Sequence, residues 1–577
     1  MEMFERKVPQ CDTIHSPEMI SFIWIAILAP FLVNGVSSLR CEILTNFSPV
    51  VCIPNAGCIR GKSTPGMGND PYDAFQGIPF AKPPLDKLRF SDPVPNDPWV
   101  GEYDATWERS ACLQKTDLRV AAVVMGSEDC LYLNVFRPRI NTTNGEKLAV
   151  MVYIHGGGFF SGSASTGVLG PEKFMKTKRV ILVTIQYRLG VYGFLSTGDH
   201  AARGNFGMKD QVLALKWVNK NIDAFGGDSN LITIFGHSAG GASVQLHMLS
   251  PLSRRLFSRA IVMSGSALAI WSTPLQNPLE QAQAQAKAAG IPASEELSTE
   301  ELVDKLRQID PVNLASSIDK LKTWHRAPLV VYRPTIDGEF LPEAPRTMWK
   351  EGKYHHIPWL IGYAPNEGSV ASLAIITNET LLNDFSRNIR SLLPSFLGER
   401  RNTPDALELI KGRYFPGNSE GSWLNCENLN NLSDIIGDAW IKYPIIDNIK
   451  QHVKLSNESN WNVYYFNFKG RYSYSYIYTN NLANFGTVHE DELLYLFRSP
   501  ALFPDFPVGS PEYHASEAWV NHYVSFAHTG HTENCDEQKC RILELTNSDG
   551  ASGEVVFNVI QHLDDNMYNF WNQHYNK

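Results

Sequence analysis

A serine between glycines is the residue in this sequence that is best suited to nucleophilic chemistry. Ser238 lies in the motif Gly-His-Ser-Ala-Gly at 236–240, which follows the apolar run 231–235 and precedes the helix-forming stretch 241–250. On a sharp turn from strand to helix a serine projects outward, and the glycines let the strand and the helix approach each other. Taken alone, the motif could be a flexible turn. The strand and helix patterns on its two sides favour a nucleophile that attacks a carbonyl carbon.

A serine hydroxyl becomes a good nucleophile when a base takes its proton, and the base is in turn oriented by an acid. Candidates for both follow in the chain, because Glu367 comes after the apolar run 357–364 and His489 comes later still. Side chains beyond the carboxyl ends of parallel strands share one crevice, so both can reach Ser238. The chain order is that of a Ser-Glu-His triad. His237 is adjacent to the serine, but neighbouring side chains diverge on a sharp turn, and we favour His489.

A run of three glycines supplies the next part of such a site. The apolar run 148–154 leads into His155 and the glycines at 156–158. Consecutive glycines cost backbone entropy, so we expect this loop to present N–H groups with no side chain in the way. Gly157 and Gly158, with Ala239 after the serine, would donate to a carbonyl oxygen that becomes an oxyanion. Each such donor is worth roughly 3–4 kcal/mol in the transition state.

The elements that must hold these residues alternate between apolar strands and helices. Helical spacing predicts a helix at 208–225, and we also predict a helical insertion at 271–354 and a helix at 490–497. The alternation predicts an α/β fold whose largely parallel sheet is covered by helices on both faces. Strands are predicted at 131–135, 148–154, 180–186, 231–235, 259–263, 357–364 and 461–468, with 461–468 as the last clear strand.

Composition describes a globular protein with a large core. The 577 residues include 43% hydrophobic and 19% charged residues, and the formal net charge is −9. A mildly acidic chain without a basic tract is not suited to nucleic acid, so we predict a small-molecule partner and no nucleic-acid partner. We find no internal repeat and no clear linker. We therefore predict one domain, 39–577, after a leader at 1–38.

The leader is typical of a cleaved secretion signal. Its apolar run at 19–33 is about 15 residues long and contains Pro30, which is short for a membrane span. Small residues at 34–38 suit cleavage after Ser38, although acidic residues within 1–18 make the first part atypical. A retained membrane anchor is the alternative. We predict a secreted, extracellular protein without a stable membrane anchor.

The cysteines and the glycosylation sequons are consistent with secretion. One of the nine cysteines, Cys11, lies in the leader, and the remaining even number is expected in an oxidising compartment. Cys52 is close enough to Cys58, and Cys535 to Cys540, for small local loops, but their pairing stays open. The asparagines of the N-x-S/T sequons are Asn46, Asn141, Asn378, Asn431 and Asn457.

Many ordered blocks of this sequence resemble the type-B carboxylesterases, the family that includes cholinesterases, juvenile hormone esterases and other insect carboxylesterases. The resemblance covers about 70–530. Its blocks read FQGIPFAKPP, SEDCLYLNVF, HGGGF, YRLGVYGF, GNFGMKDQVLALKWV, GHSAGGAS, NEGS and GTVHEDELLYLF, followed by Trp519 and the stretch SFAHTG at 525–530.

The resemblance implies an α/β-hydrolase fold and hydrolysis of carboxylic esters without a cofactor or a metal. By position it assigns the nucleophile to Ser238, the acid to Glu367 and the base to His489. It also implies a disulfide between Cys112 and Cys130, and it places Trp271 at the family's acyl-pocket tryptophan.

The sequence departs from the cholinesterases in three ways. They usually carry Glu at the position of His237, and they have a tryptophan inside the Cys112–Cys130 loop, where this chain has no aromatic residue. Their second common disulfide, after the turn that carries Ser238 (the elbow), is absent, because no cysteine lies between Cys130 and Cys426. Since that tryptophan binds the quaternary ammonium of choline esters, we expect an entrance that favours neutral, hydrophobic esters.

The function we predict is a secreted serine carboxylesterase that works through an acyl-enzyme. One alternative is an adhesion protein of the neuroligin type, in which the fold serves as a binding module, but such relatives typically lose the serine that this chain keeps. Another alternative is an esterase dedicated to one hormone or pheromone ester. Hydrolysis of 4-nitrophenyl esters by the mature protein, with a Ser238→Ala control, separates enzyme from binding module.

Overall fold

The structure of the protein is a computed structural model. It describes residues 49–54, 56–116, 123–140, 145–275, 277–325, 327–398, 404–417, 423–424, 428–455, 461–480, 483–532, 542–547, 555–560 and 563–575. The predicted leader and the predicted sites at Asn46, Asn141 and Asn457 lie outside the described residues, as do Cys41, Cys426, Cys535 and Cys540. The single domain at 39–577 stays a prediction.

Strands are the framework of the fold, and those at the centre of the large sheet, such as Leu148–Ile154 and Trp359–Tyr363, are apolar along their whole length. They are β1 (Val50–Ile53), β2 (Gly57–Arg60), β3 (Lys62–Thr64), β4 (Tyr72–Pro79), β5 (Glu102–Asp104), β6 (Gln114–Thr116), β7 (Val123–Met125), β8 (Tyr132–Pro138), β9 (Leu148–Ile154), β10 (Val180–Ile185), β11 (Gly227–His237), β12 (Arg259–Met263), β13 (Trp359–Tyr363), β14 (Trp461–Phe466), β15 (Ile542–Asn547) and β16 (Val555–Ile560).

One large sheet of 11 strands contains most of them, in the order β16-β15-β14-β13-β12-β11-β9-β10-β8-β4-β3. Pairing is parallel from β10 through β9, β11, β12, β13 and β14 to β15, and antiparallel at both edges. The sequence therefore correctly predicted a largely parallel sheet. β1, β2 and β5 form a small sheet, and β6 and β7 form a hairpin.

Helices fill the connections between strands. They are α1 (Glu172–Lys176), α2 (Gly190–Phe194), α3 (Phe206–Asn221), α4 (Ala239–Leu249), α5 (Pro278–Ala288), α6 (Thr299–Gln308), α7 (Pro311–Ser316), α8 (Pro345–Lys350), α9 (Ser369–Ile376), α10 (Glu379–Arg387), α11 (Ile389–Leu397), α12 (Pro404–Tyr414), α13 (Asn430–Gly437), α14 (Tyr443–Leu455), α15 (Tyr474–Tyr478), α16 (Leu493–Leu496), α17 (Pro511–Thr529) and α18 (Asp565–Tyr575).

Helices cover both faces of the sheet and give it two hydrophobic layers. Successive strand residues point to opposite faces, so along β9 Val150, Val152 and Ile154 enter one layer while Met151 and Tyr153 enter the other. α3 and α4 pack in the first layer, and α1 and α17 pack in the second. The predicted α/β class with helices on both faces is confirmed.

The order of strands reverses at β9, which has β10 on one side and β11 on the other. Helical connections leave such neighbouring strands in opposite directions, which opens a crevice beyond their carboxyl ends. The glycine loop at 156–158 leaves β9 there, and the turn that carries Ser238 leaves β11 there. The fold therefore brings these two segments together.

Two predictions at the C-terminal end were wrong. β14 is not the last strand, because β15 and β16 extend the sheet; β16 is the edge strand and β15 lies next to it, and polar residues interrupt the apolar pattern of both. The helix predicted at 490–497 is reduced to Leu493–Leu496. Glu490 has a φ of 77°, and a helix cannot run through a left-handed residue.

Within the described ranges, no helix combines the length and the apolar character that crossing a lipid bilayer requires. Two disulfides are present in the same ranges. Cys52 pairs with Cys58 across β1 and β2, and Cys112 pairs with Cys130 around the β6–β7 hairpin.

Candidate active site

Ser238 lies on the turn between β11 and α4, at the mouth of the crevice. Its φ of 56° and ψ of −118° are strained for a residue with a side chain. The turn fits only because its glycines are bare. A Cβ on Gly236 would lie 2.6 Å from the carbonyl of Gly240, and a Cβ on Gly240 would lie 2.0 Å from the carbonyl oxygen of Ile154. The serine side chain is left partly exposed.

Glu367 and His489 meet beside this turn. Nδ1 of His489 lies 2.5 Å from Oε2 of Glu367, and both side chains are buried. Oε1 of Glu367 accepts hydrogen bonds from the Ala364 N–H at 2.7 Å and from the Ser264 hydroxyl at 2.7 Å. The carboxylate is therefore held at both oxygens. With Nδ1 facing it, Nε2 is the nitrogen of the imidazole that can take a proton.

Backbone pairing brings the two loops together. Asn366, which precedes the acid, forms a parallel bridge with Val488, which precedes the histidine, and its N–H donates to the Thr487 carbonyl at 3.1 Å. The imidazole of His489 reaches the elbow, since its ring centre lies 4.4 Å from that of His237. The acid, the histidine and the elbow thus converge at one end of the sheet.

Ser264 and Glu492 extend this cluster below the acid. The Ser264 hydroxyl lies between the two carboxyls, 2.7 Å from Glu367 and 2.9 Å from Oε1 of Glu492. Glu492 is fully buried, and the same oxygen lies 3.5 Å from Nε2 of His237. Burial, together with the charge of Glu367, raises the pKa of Glu492 to about 8. Glu492 is therefore largely protonated at neutral pH.

The two histidines of the cluster have opposite electrostatics. Burial alone would lower the pKa of His489, but the adjacent carboxylate of Glu367 outweighs it and raises that pKa above its ordinary value. Burial and the charge of His489 hold the pKa of His237 well below its ordinary value. His489 is the histidine that can carry a proton, and His237 remains neutral.

The glycine loop at 156–158 passes directly over the elbow. A Cβ on Gly156 would lie 3.2 Å from Cβ of Ser238. Gly157 and Gly158 have positive φ, at 104° and 61°. Among the turn and loop hydrogen bonds of the described residues, none uses the N–H of either glycine. Ala239 is the first residue of α4, where an N–H has no acceptor within its own helix. These three N–H groups are available to an oxyanion.

Comparison with known proteins shows the family to which the chain belongs. The model of the carboxylesterase family matches residues 48–571. The chain belongs to the carboxylesterase family. The resemblance read from the sequence is confirmed, and this protein is a carboxylic-ester hydrolase whose substrates are small esters.

Three relatives illustrate the likeness. A juvenile hormone esterase of Tribolium castaneum is 39% identical over 83% of this chain and 83% of its own length. Esterase E4 of Myzus persicae is 35% identical over 74% of this chain and 77% of its own length. The crystal structure of juvenile hormone esterase from Manduca sexta, with OTFP covalently attached, superposes with a TM-score of 0.77 at 27% identity, covering 92% of this chain and all of that one. The predicted α/β-hydrolase fold is confirmed.

Gln114 ties the disulfide loop of this carboxylesterase to Gly162, in the segment that follows its glycine loop. Its amide nitrogen donates to the Gly162 carbonyl, and its amide oxygen accepts from the Gly162 N–H, each at 2.8 Å. The same nitrogen lies 2.9 Å from the Cys112 carbonyl. Gln114, two residues after the bridged Cys112, therefore holds the segment that follows the glycine loop.

His155 braces the other side of the loop. Its ring stacks on Tyr187 with 4.4 Å between ring centres, and the Tyr187 hydroxyl donates to the His155 carbonyl at 2.9 Å. Burial lowers the pKa of His155 to about 4, so the imidazole is neutral at physiological pH. A neutral ring can pack against the loop without placing a charge beside it.

Trp271 is buried at the edge of the glycine loop. Its ring lies 6.2 Å from that of Phe159, the residue after the three glycines, and its indole N–H donates to the Trp440 carbonyl at 3.1 Å. A cavity of about 40 Å³ adjoins the loop at Phe160, and apolar side chains make up most of its lining. Lys115 and Lys322 also line it, and both pair with Asp319.

Sequence reasoning missed Ser264, Glu492 and Gln114. Ser264 and Gln114 stand in no motif that marks them. One sequence feature could have pointed to Glu492, which lies three residues after His489 in a run of acidic residues. Two of the predicted glycosylation sites lie on described residues: Asn378 is exposed, whereas the Asn431 amide nitrogen donates to the Tyr414 carbonyl at 2.5 Å.

Proposed function

We propose that this carboxylesterase hydrolyses neutral, hydrophobic esters through an acyl-enzyme in which Ser238 is the nucleophile. The observation that carries the proposal is the contact of 2.5 Å between His489 and Glu367 beside a strained serine turn. It supports a Ser-Glu-His triad, because an oriented imidazole can take the serine proton while the carboxylate stabilises the imidazolium.

In the first half of the reaction, the Ser238 oxygen attacks the ester carbonyl carbon and its proton passes to Nε2 of His489. The carbonyl oxygen becomes an oxyanion, which accepts hydrogen bonds from Gly157, Gly158 and Ala239. The tetrahedral intermediate then collapses. The alcohol leaves with the proton that His489 returns, and the acyl group stays on the serine.

In the second half, water attacks the acyl carbon and gives its proton to His489. Collapse of the second intermediate returns that proton to the Ser238 oxygen and releases the carboxylic acid. Glu367 stays ionised throughout and fixes the imidazole ring. We propose that Trp271 lines the acyl pocket, since it packs beside the loop that binds the oxyanion.

The proposed preference for neutral esters rests on the surroundings of the glycine loop. The two lysines of the adjoining cavity share Asp319, so that carboxylate is already paired and offers little attraction to a cationic substrate. The walls are mainly apolar. Hydrolysis of 4-nitrophenyl esters of rising acyl length tests this, and Ser238→Ala tests the nucleophile. Unchanged turnover in that variant would overturn the proposal.

A second candidate is an esterase dedicated to one hormone ester. It is favoured by the relatives whose names specify juvenile hormone. The discriminating measurement is kcat/KM for juvenile hormone against kcat/KM for 4-nitrophenyl butyrate. A juvenile hormone value at least a hundredfold higher would identify a dedicated enzyme.

We also propose that the protein is secreted, with a leader that is cleaved after Ser38. Two disulfides among the described residues suit an oxidising compartment. Asn378 is the better candidate for a glycan of the two described sequons, because its side chain is exposed. N-terminal sequencing and glycopeptide mass spectrometry of protein from culture medium test these points.

A further inference from the structure

A second cavity lies on the opposite face of the sheet from the α3 and α4 layer. It has a volume of about 140 Å³ and is bounded by α1, the segment 494–506 and α17. Four aromatic or aliphatic side chains, Leu494, Phe497, Phe503 and Phe506, give it apolar walls. An apolar cavity of about 150 Å³ accommodates one benzene ring. We call this space the Lys173 cavity.

The floor of the Lys173 cavity is rigid. Phe497 packs on Tyr153 of β9 with 4.8 Å between ring centres, and on Phe174 of α1 with 5.4 Å. Tyr153 and Phe174 are buried in the second hydrophobic layer. A ligand ring in the cavity would therefore meet a preformed aromatic surface.

Three cationic side chains line the cavity, and two of them are neutralised. Lys176 bonds to the Glu517 carboxylate at 2.6 Å and to the Tyr513 hydroxyl. Arg498 makes two hydrogen bonds to Asp505, at 2.6 and 2.7 Å. Each of these charges already has its counterion.

Lys173 is the third cation, and its surroundings differ. Its ammonium donates to the Leu494 carbonyl and lies 4.2 Å from the centre of the Phe506 ring. Among the described residues, no carboxylate oxygen lies within ion-pair distance of it. An ammonium has three donors, and the described hydrogen bonds use one of them. The cavity thus combines apolar walls with an uncompensated cation.

We propose that the Lys173 cavity is a binding site for a small amphipathic carboxylate, with one ring or a short alkyl chain against the phenylalanines and the carboxylate on Lys173. A carboxylate would give the ammonium the counterion that the protein does not provide. Neutral ligands would leave the charge of Lys173 uncompensated, and cationic ligands would be repelled by it, since Lys176 and Arg498 are already paired. The site lies outside the cluster of Ser238, Glu367 and His489.

The groups that face Lys173 support this choice. Glu172 and Lys176 lie on its own helix, Arg498 and Asp505 face it from the segment 494–506, and Tyr513 and Glu517 face it from α17. Burial lowers the pKa of Lys173 to about 7, and Asp505 and Glu172 offset only part of this effect. The free ammonium therefore loses its proton as the pH rises through about 7. A carboxylate binds the protonated form, so affinity is highest below that pH and falls above it.

The test uses the full mature chain and titration calorimetry with 3-phenylpropionate. Its amide, 3-phenylpropanamide, is the matched neutral probe. We expect the carboxylate to bind at least tenfold more tightly than the amide at pH 6.5. We expect Lys173→Met to weaken carboxylate binding at least tenfold, while Lys173→Arg retains most of it. Lys216→Met, at an exposed position on α3, is the control and should bind as the wild type does.

A second measurement needs no variant. At pH 8, carboxylate binding should take up protons, because Lys173 must regain its charge; comparing heats in buffers of different ionisation enthalpy measures this, and the amide should show no uptake. Absence of carboxylate binding, equal affinities for acid and amide, or unchanged affinity in Lys173→Met would overturn the proposal. The last outcome would also result if the acid bound only beside Ser238.

Discussion

The serine crevice and the Lys173 cavity each contain a buried charged group beside open space. They differ in how completely the protein compensates that charge. In the crevice, each oxygen of Glu367 has a hydrogen-bond donor or the imidazole as its partner. In the cavity, the Lys173 ammonium has one carbonyl and one ring face. A charge that is fully satisfied by the protein can orient another group, whereas an unsatisfied one is free to bind a ligand. The difference indicates catalysis in the first region and recognition in the second.

The largest effect should come from Ser238→Ala. Loss of the nucleophile is expected to lower kcat by about 10⁶, as in other serine hydrolases where the nucleophile is removed. The oxyanion donors remain, so a trace of activity should persist. Turnover of 4-nitrophenyl butyrate measures the loss. The same variant should bind 3-phenylpropionate in the Lys173 cavity unchanged, and reduced binding would contradict the separation of the two regions.

Glu367→Gln removes the buried negative charge of the serine crevice. We expect kcat to fall by roughly 10²–10⁴, because a neutral amide neither fixes the imidazole tautomer nor stabilises the imidazolium. The carboxylate also raises the pKa of His489. Wild-type kcat/KM should therefore rise with pH through an apparent pKa above the usual histidine value of about 6.5, and the variant's apparent pKa should be lower.

A full pH profile of both proteins measures this shift. Glu296→Gln, at an exposed surface position, serves as the control and should leave the profile in place. If the apparent pKa of the Glu367→Gln variant equalled that of the wild type, a group other than Glu367 would have to hold the histidine.

Much of the crevice could be read from the sequence, because its parts are motifs with strict backbone demands. The elbow needs bare glycines where the Ile154 carbonyl approaches, and the glycine loop must pass close to Cβ of Ser238. These demands leave a visible pattern. The apolar parallel strands are equally visible, because both of their faces are buried.

The rest could not be read because it depends on long-range contacts between ordinary residues. Ser264 gains its role only when β12 lies beside β13, and Lys173 lines a cavity only after α1 meets α17. Burial that changes a pKa is a property of the folded chain. The short α16 was mispredicted because the apolar spacing after His489 does not reveal the left-handed φ of Glu490.

Substrate charge should have a smaller effect. Around the glycine loop, the lysines are paired with Asp319, so the crevice offers a cation little attraction, in contrast to the anion site proposed at Lys173. We expect kcat/KM for butyrylthiocholine to be no higher than for its neutral isostere, 3,3-dimethylbutyl thiobutyrate. An aromatic face over the ammonium would give the cation about 2 kcal/mol, or some thirtyfold. A cation preference of tenfold or more would therefore show that an aromatic ring, such as Phe160, serves this purpose.

The smallest effect concerns Glu492. Its carboxyl group is buried and, unlike that of Glu367, keeps its proton. Its pKa in the folded protein is about 8, above the usual glutamate value of about 4.3. The folded state therefore holds a proton that the unfolded state releases, and stability falls as the pH rises from about 4.3 to about 8. Glu492→Gln resembles the protonated form and removes this dependence. Its melting temperature should gain on the wild type by a few degrees between pH 5 and pH 8, measured against Glu296→Gln. A constant difference across this range would mean that the folded state holds no extra proton at this position and that Glu492 is ionised, so that the cluster satisfies this charge as it does that of Glu367.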